Sequence, residues 1–353
     1  MDPIPKKFLQ DLLNTPGPSG FEIPVQNLVR EYLRDVADEI KTDLHGNVIA
    51  GRNPGKALRL MFAGHCDQIG LLVSQIEENG FIYFQAIGGW DPNQLIGQRM
   101  MVWSKTGPIN GVVSRKAIHL QDETERNQVP KLQDLWLDIG AKNAEETKTR
   151  VRVGDPITFQ LGMQEMSGDL VNGPAMDDRC GLWVVIEAFR RAVKEKLACS
   201  LYVASTVQEE VGLRGAKTAA YSIDPHVGIA VDVTHATDCP AIDKRQQGEI
   251  KIGAGPVIFR GPNMSPIVVD RLIELCIKRE IPYQLAAIGR AAPNDSNALQ
   301  TTRGGVATGL VSLPNRYMHS PVEVVSLGDL EDAANLLAEF AMSCSDPDSF
   351  IPK

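Results

Sequence analysis

Apolar positions change their spacing twice along this chain. Over residues 5–35 they recur at helical intervals. Phe8, Leu9, Leu12 and Leu13 form one stripe, and Val25, Leu28, Val29 and Leu33 form a second. Two amphipathic helices are predicted, separated by Thr15-Pro16-Gly17-Pro18-Ser19-Gly20. Leu58 to Ala63 is apolar but for Arg59 and predicts a short strand ending at Gly64-His65. From about Leu72 to Leu161 the apolar runs shorten, at Leu71–Val73, Phe81–Phe84, Met100–Trp103, Val112–Val113, Leu135–Leu137 and Ile157–Phe159, with Gly, Pro and polar turns between them. Many short strands and little helix predict a small β-barrel or sandwich. Within it only Ala144–Lys148 reads as helical, and the polar stretch Leu120–Gln133 reads as an exposed loop or lid.

Past Gly168 the texture changes again. Strands at Leu201–Ser205, Val227–Val233 and Val306–Leu313 alternate with helices at Asp178–Lys194, Leu213–Tyr221, Ser265–Arg279 and Leu327–Met342. Alternation of this kind implies parallel strands with helices on both faces. The expected fold class is therefore α/β, a mixed but mainly parallel sheet interrupted by an inserted β domain. Residues 1–71 and 162–353 form the larger domain and residues 72–161 the insertion. The formal net charge of −8 leaves no basic footprint for nucleic acid. No stretch is apolar for long enough to span a bilayer, and no apolar signal region follows Met1–Lys7. Cys66, Cys180, Cys199, Cys239, Cys276 and Cys344 form no C-x-x-C pair and several lie in apolar runs, which suits reduced, buried thiols. A cytoplasmic protein is expected.

The chemistry-bearing residues lie at the ends of apolar runs, where a parallel sheet projects side chains into a crevice. Gly64-His65-Cys66-Asp67 offers an imidazole with a carboxylate two residues on, able to fix its tautomer; a strand-end histidine beside a surface aspartate reads as well. Asp177-Asp178 is either an acidic helix start or a carboxylate bridging two cations. Glu209-Glu210 sits among the apolar Val207 and Val211, and two adjacent acids there repel each other unless a cation is near; one can bind metal while the other handles a proton. Asp232 closes an apolar run and becomes a ligand candidate in that company, with His235 three residues on as a supporting donor. His319 stands in a loop bracketed by Pro314 and Pro321, beside Arg316 and Tyr317, which could hold the loop or touch substrate. His45, His119 and His226 have no partner pattern and read as structural. Together the patches supply enough for two adjacent divalent cations and a general base.

These patches, in this order, resemble the M42 family of metallo-aminopeptidases, the glutamyl-aminopeptidase and tetrahedral-aminopeptidase group. The likeness rests on Phe62–Gly70, Met176–Gly181, Val207–Ala216, Asp232–Ala236 and Arg316–Ser320, and runs over nearly the whole chain. It implies a zinc-peptidase-like catalytic domain with a β-barrel-like insertion that dimerises. It further implies that His65 and Asp232 bind one metal, Glu210 and His319 the other, and that Asp177 bridges them. Glu209 would be the general base and Asp67 would orient His65. A cis peptide after Asp177 is also implied. The metals would be Zn²⁺ or Co²⁺, with Mn²⁺ a further option. Cys66 stands where many relatives carry Met, and Asn294-Asp295-Ser296 where relatives often carry Thr-Asp-Ala.

The activity so implied is removal of N-terminal residues from short peptides, with Asp295 as a candidate for sensing the free α-amine. A related deacylase or dipeptidase could use the same ligands. An endoglucanase-like glycoside hydrolase would instead need two metal-independent carboxylates flanking a sugar cleft. Trp90, Leu95, Ile96, Trp103, Leu135 and Trp136 exceed what a small barrel is expected to bury, which predicts an interface on the insertion. The resemblance adds homo-oligomeric assembly of dimers into a dodecamer.

Overall fold

A computed structural model describes the backbone of residues 1–353 and the side chains of all but residues 246 and 247. The two predicted helices are α1 (Pro3–Asn14) and α2 (Ile23–Leu33), each with proline in its first turn, where the missing N–H costs nothing. Strands β1 (Glu39–Thr42) and β2 (Val48–Arg52) pair antiparallel and lead into β3 (Arg59–His65). The chain then leaves the sheet to build a closed barrel from β4 (Gly70–Ile76), β5 (Ile82–Ile87), β6 (Arg99–Ser104), β7 (Gly107–Ser114), β8 (Trp136–Asp138) and β9 (Pro156–Phe159). Helix α3 (Glu123–Asn127) lies between β7 and β8, and α4 (Ala144–Arg150) between β8 and β9.

After the barrel come β10 (Gln164–Glu165), β11 (Leu170–Gly173), α5 (Met176–Ala192), β12 (Ser200–Thr206), α6 (Arg214–Ile223), β13 (Val227–His235) and α7 (Lys244–Gln247). The chain closes with β14 (Val257–Arg260), α8 (Pro266–Arg279), β15 (Gln284–Ala287), α9 (Asp295–Gln300), β16 (Ala307–Asn315), β17 (Glu323–Ser326) and α10 (Leu327–Ser343). The main sheet has the order β1-β2-β12-β3-β13-β16-β14-β15. Its central strands β12, β3, β13 and β16 are parallel, so their carboxyl ends share one edge.

Glycines show why both faces carry helices. A Cβ on Gly64 would meet the backbone of Leu182 in α5 at 2.8 Å, and one on Gly309 would meet Val268 in α8 at 2.8 Å. A Cβ on Gly228 would meet Leu299 in α9. Register pairs Ile229 with both Phe62 and Gly309, so Gly64 and Gly309 face one side and Gly228 the other. The mixed α/β sheet with an inserted β-barrel is thus the observed fold.

The barrel has its own apolar centre, including Leu71, Val73, Ile82, Met100, Val102 and Leu137. Along β7, Ile109, Gly111 and Val113 point inward while the residues between them are exposed. The structure corrects two expectations here. Leu95 and Leu135 are fully buried, and Trp90, Ile96, Trp103 and Trp136 are partly buried. The Trp90 indole donates to the Gly70 carbonyl, and that of Trp103 to the Thr158 hydroxyl. The exposed apolar side chains of the insertion are instead Val112, Ile118, Leu120, Val129, Val153 and Leu161. Secondly, the polar stretch is not all loop. Asp122 and Glu125 form a reciprocal capping box that starts α3 without any apolar stripe.

Candidate metal centre and its cleft

The carboxyl ends of β3, β12, β13 and β16, together with the start of α5, bring the candidate residues together. His65 is the last residue of β3, and its ring is buried. Its Nε2 lies 3.2 Å from Asp177 Oδ1 and 3.9 Å from Glu209 Oε2. Its Nδ1 lies 3.1 Å from the Asp67 carbonyl and 3.5 Å from the Asp67 carboxylate. Asp177 turns its other oxygen, Oδ2, to His319 Nε2 at 3.3 Å, and the same imidazole nitrogen lies 3.4 Å from Glu210 Oε2. One carboxylate therefore faces both histidines, one oxygen to each. The ligand atoms of His65, Asp177 and Glu210 lie within 4.8 Å of one another, as do those of His65, Asp178 and Asp232.

The start of α5 is shaped for this. The Asp177–Asp178 peptide is cis, and Asp177 and Asp178 depart from helical dihedrals. Asp178 is spent on the backbone, accepting from the N–H groups of His65 and Gly181. Gly181 is obligatory, because a Cβ there would sit 2.1 Å from Asp178 Oδ1. Ala175, Gln208, Leu213, Tyr317 and His319 all have left-handed backbones, at φ 65°, 55°, 57°, 65° and 60°. Such residues are uncommon outside glycine and concentrate at functional sites that hold them in place.

Supporting contacts extend beyond the residues singled out from the sequence. Asp67 accepts from the backbone N–H groups of Glu209 and Glu210, at 3.0 and 3.2 Å, and from the Ser19 hydroxyl at 2.6 Å. It thus holds the glutamate loop as well as facing His65. Glu22 accepts from the N–H groups of Gly20 and Gln208. The buried Arg179 guanidinium donates to the carbonyls of Cys66, Leu12 and Thr15 and to the Gln68 side chain, tying α1 to the His65 loop. The Cys66 side chain lies in the apolar core. Glu323 accepts from the backbones of Asp177 and His319.

The electrostatics are those of a site built for positive charge. Burial pushes the Glu209 carboxyl up to about 10, against the lowering effect of His65 and with help from Asp232, Asp295 and Glu210. Burial and Asp177 likewise raise Asp232, and burial raises Glu210. Asp177 is lowered: desolvation opposes this, but its hydrogen bonds with His319 and His65 prevail. His319 is held up at about 11 by Asp177 and Glu210. These acids outnumber the imidazoles that face them, and Glu210 Oε1 is buried with no hydrogen-bond partner. An oxygen left without a donor at the mouth of an acid and imidazole cluster fits a divalent cation.

A cleft of about 1030 Å³ opens from this cluster. Asp177, Glu209, Glu210, Asp232 and His319 line it, with Val233, Ile250, Phe259, Leu310 and Met318 as apolar walls. His235 lies on the cleft wall. Arg316 does not: its guanidinium forks onto Asp238, with Nε and Nη2 at 2.8 and 2.6 Å from the two carboxylate oxygens. The fork is engaged in holding the loop, one of the two roles that the sequence allows it. Asp295 is 1% exposed, and its neighbour Asn294 lines the cleft. One of its oxygens accepts from Thr206 at 2.6 Å and the other has no partner.

The Peptidase_M42 family model, described as M42 glutamyl aminopeptidase, matches residues 46–336. Over 336 residues the chain is 37% identical to the lysyl aminopeptidase of Pyrococcus furiosus, an alignment covering 94% of each protein. Among solved structures, a TET aminopeptidase from a marine sediment thaumarchaeon superposes with a TM-score of 0.93 at 32% identity, over 98% of both chains. The Pyrococcus horikoshii TET1 peptidase, which can assemble into a tetrahedron or a large octahedral shell, superposes with a TM-score of 0.87 at 30% identity, over 96% of this chain and all of that one. With the family model spanning most of the sequence and the aminopeptidase fold matched end to end, this chain belongs to the M42 family of metallo-aminopeptidases.

Proposed function

We propose that this chain is a two-metal aminopeptidase that removes N-terminal residues from short peptides. His65 and Asp232 would hold one divalent cation and Glu210 and His319 the other, with Asp177 across both. Bound there, Zn²⁺, Co²⁺ or Mn²⁺ would polarise the scissile carbonyl and lower the pKa of water in the cleft. Glu209 is not needed to hold metal. Cations in the site would favour its ionised form, against the burial that raises it, and the carboxylate then takes the proton of the attacking water and returns it to the leaving amine. Asp67 keeps Glu209 in place through the Glu209 N–H and faces His65 on the side away from Asp177. The observation that carries this reading is Asp177, whose two oxygens face two histidines beside the unpartnered Glu210 Oε1.

The proposal extends to assembly and setting. The Pyrococcus horikoshii relative forms closed shells. Dimers of this chain built through the barrel, and a dodecamer as the leading larger state, accord with Ile118, Leu120, Val129 and Val153 lying exposed on the insertion. All six cysteines are free thiols, which suits the reducing cytoplasm. No helix of the described residues is long and apolar enough to cross a membrane.

The test is a panel of aminoacyl-arylamides, N-blocked peptides and soluble β-glucans, assayed after chelation and after return of each metal. Free-amine substrates should be cleaved only with metal present. Equal cleavage of N-blocked peptides would favour a deacylase or endopeptidase. Glucan hydrolysis in chelator would favour the glycosidase reading. Light scattering at micromolar concentration should report a mass well above that of one chain.

A further inference from the structure

The residue that the metal-binding reading leaves unused is Glu323, the first residue of β17 and 2% exposed. Its two oxygens are divided between two distant loops. Oε2 accepts from the Asp177 N–H at 2.9 Å, and Oε1 from the His319 N–H at 2.7 Å. Both contacts are to main chain. With each oxygen already engaged by a donor, this carboxylate is poorly placed to be a ligand itself.

The strand that carries it is a staple between the same two loops. On one side β17 pairs with β11, placing Glu323 opposite Gly173, four residues before Asp177. On the other, Val324 exchanges both backbone hydrogen bonds with Arg316, three residues before His319. Glu323 thus lies where the two connections converge. His319 needs such a hold. Its left-handed backbone, at φ 60°, follows a second left-handed residue, Tyr317, and such a loop keeps its shape only where neighbours over-determine it.

We propose that Glu323 is a positioning residue for the second metal. By accepting the N–H groups of Asp177 and His319 together, it sets the spacing between the bridging carboxylate and the imidazole that faces it. The inference rests on the two-metal reading above. It predicts an asymmetric consequence, because the second metal would depend on both groups that Glu323 holds, whereas the first shares only Asp177 and takes its other ligands, His65 and Asp232, from β3 and β13.

In Glu323→Gln, an amide presents one acceptor and one donor. The donor must face a backbone N–H, so one of the two loops is released. Stripped wild-type and variant proteins are titrated with Co²⁺ against a chromophoric chelator, with circular dichroism as the check on folding. Wild type should take up two ions per chain. The variant should weaken in its second binding step by about 10–100-fold, the usual cost of losing a group that orients a ligand, and in its first step by distinctly less. Turnover of an aminoacyl-arylamide at limiting Co²⁺ should fall in parallel and recover at saturating Co²⁺. A folded variant with both steps unchanged, or with both weakened alike, overturns the proposal while leaving two metals in place. A wild type that takes up a single ion overturns the two-metal reading and this proposal with it. Should E323Q fail to fold, Glu323→Asp is titrated instead. Its carboxylate is one methylene short of reaching both loops, and an unchanged second step there overturns the proposal equally.

Discussion

The barrel and the metal cleft bury side chains in opposite ways. Inside the barrel, Leu71, Val73, Ile82, Met100, Val102 and Leu137 ask only for apolar neighbours of fitting volume. Their burial is favourable on its own, roughly 25 cal/mol for each Å² of apolar surface. The cleft buries Asp177, Glu210, Asp232 and Glu209 against two imidazoles and holds several residues in left-handed conformations. Nearly every term there is a cost until hydrogen bonds or cations offset it. The barrel is therefore complete as folded, whereas the cleft is stable in proportion to what it binds and to the backbone donors that Asp67 and Glu323 collect.

The sharpest way to break that contrast is to withdraw divalent ions. Arylamidase activity should fall to background, and the melting temperature should drop. A site held at a thousand times its dissociation constant contributes about 4 kcal/mol to the folded state. Melting curves that ignore chelator would make the cleft as self-sufficient as the barrel. Next in size is Glu209→Gln, which should keep both ions and the fold yet lose roughly 10²–10⁴-fold in kcat. Turnover close to wild type would remove Glu209 from proton transfer. The mirror experiment lies in the barrel. Leu137→Ala should lower stability by about 2–5 kcal/mol, measured by urea unfolding, with metal affinity and kcat unchanged. A parallel fall in kcat would show that the two regions are coupled.

The smallest expected effect concerns pH. Burial pushes the Glu22 carboxyl up to about 7 from its ordinary 4.5, although the N–H groups of Gly20 and Gln208 pull the other way. Between those values the folded protein keeps a proton that the unfolded chain has released. Wild-type stability should therefore fall as pH rises through that window and level off above it. Glu22→Gln cannot titrate, so its melting temperature should gain on wild type between pH 5 and pH 8. A constant gap between the two proteins would mean that Glu22 ionises normally.

What the sequence made legible follows the same division. The long strands and helices were visible either as a periodic apolar stripe, as in α1, or as a long apolar run buried over nearly its whole length, as in α5 and β13. Strands β1 and β15 were not, being short and largely exposed, with no stripe to read. Helix α3 has no buried residue, and its only signal is the Asp122 and Glu125 box. At the site, His65, Asp177, Glu209, Glu210, Asp232 and His319 could be picked out because acids and imidazoles are rare at the ends of apolar runs. Arg316 looked free because its partner, Asp238, is remote in sequence and adjacent only in space. Glu323 gave no signal at all, since its work is done on backbone N–H groups that every residue except proline carries.

The residues of the proposed metal centre are drawn from His65 in the first fifth of the chain to His319 in the last. No shorter stretch contains the set. Strand β16, which leads to His319, is also the parallel neighbour of β13, which carries Asp232. A chain still emerging during synthesis, or one cut before residue 307, has neither the second imidazole nor the strand that fixes Asp232. The proposed centre can therefore close only once residue 319 is in place, and a cut anywhere before it leaves the acids without the second imidazole that faces them.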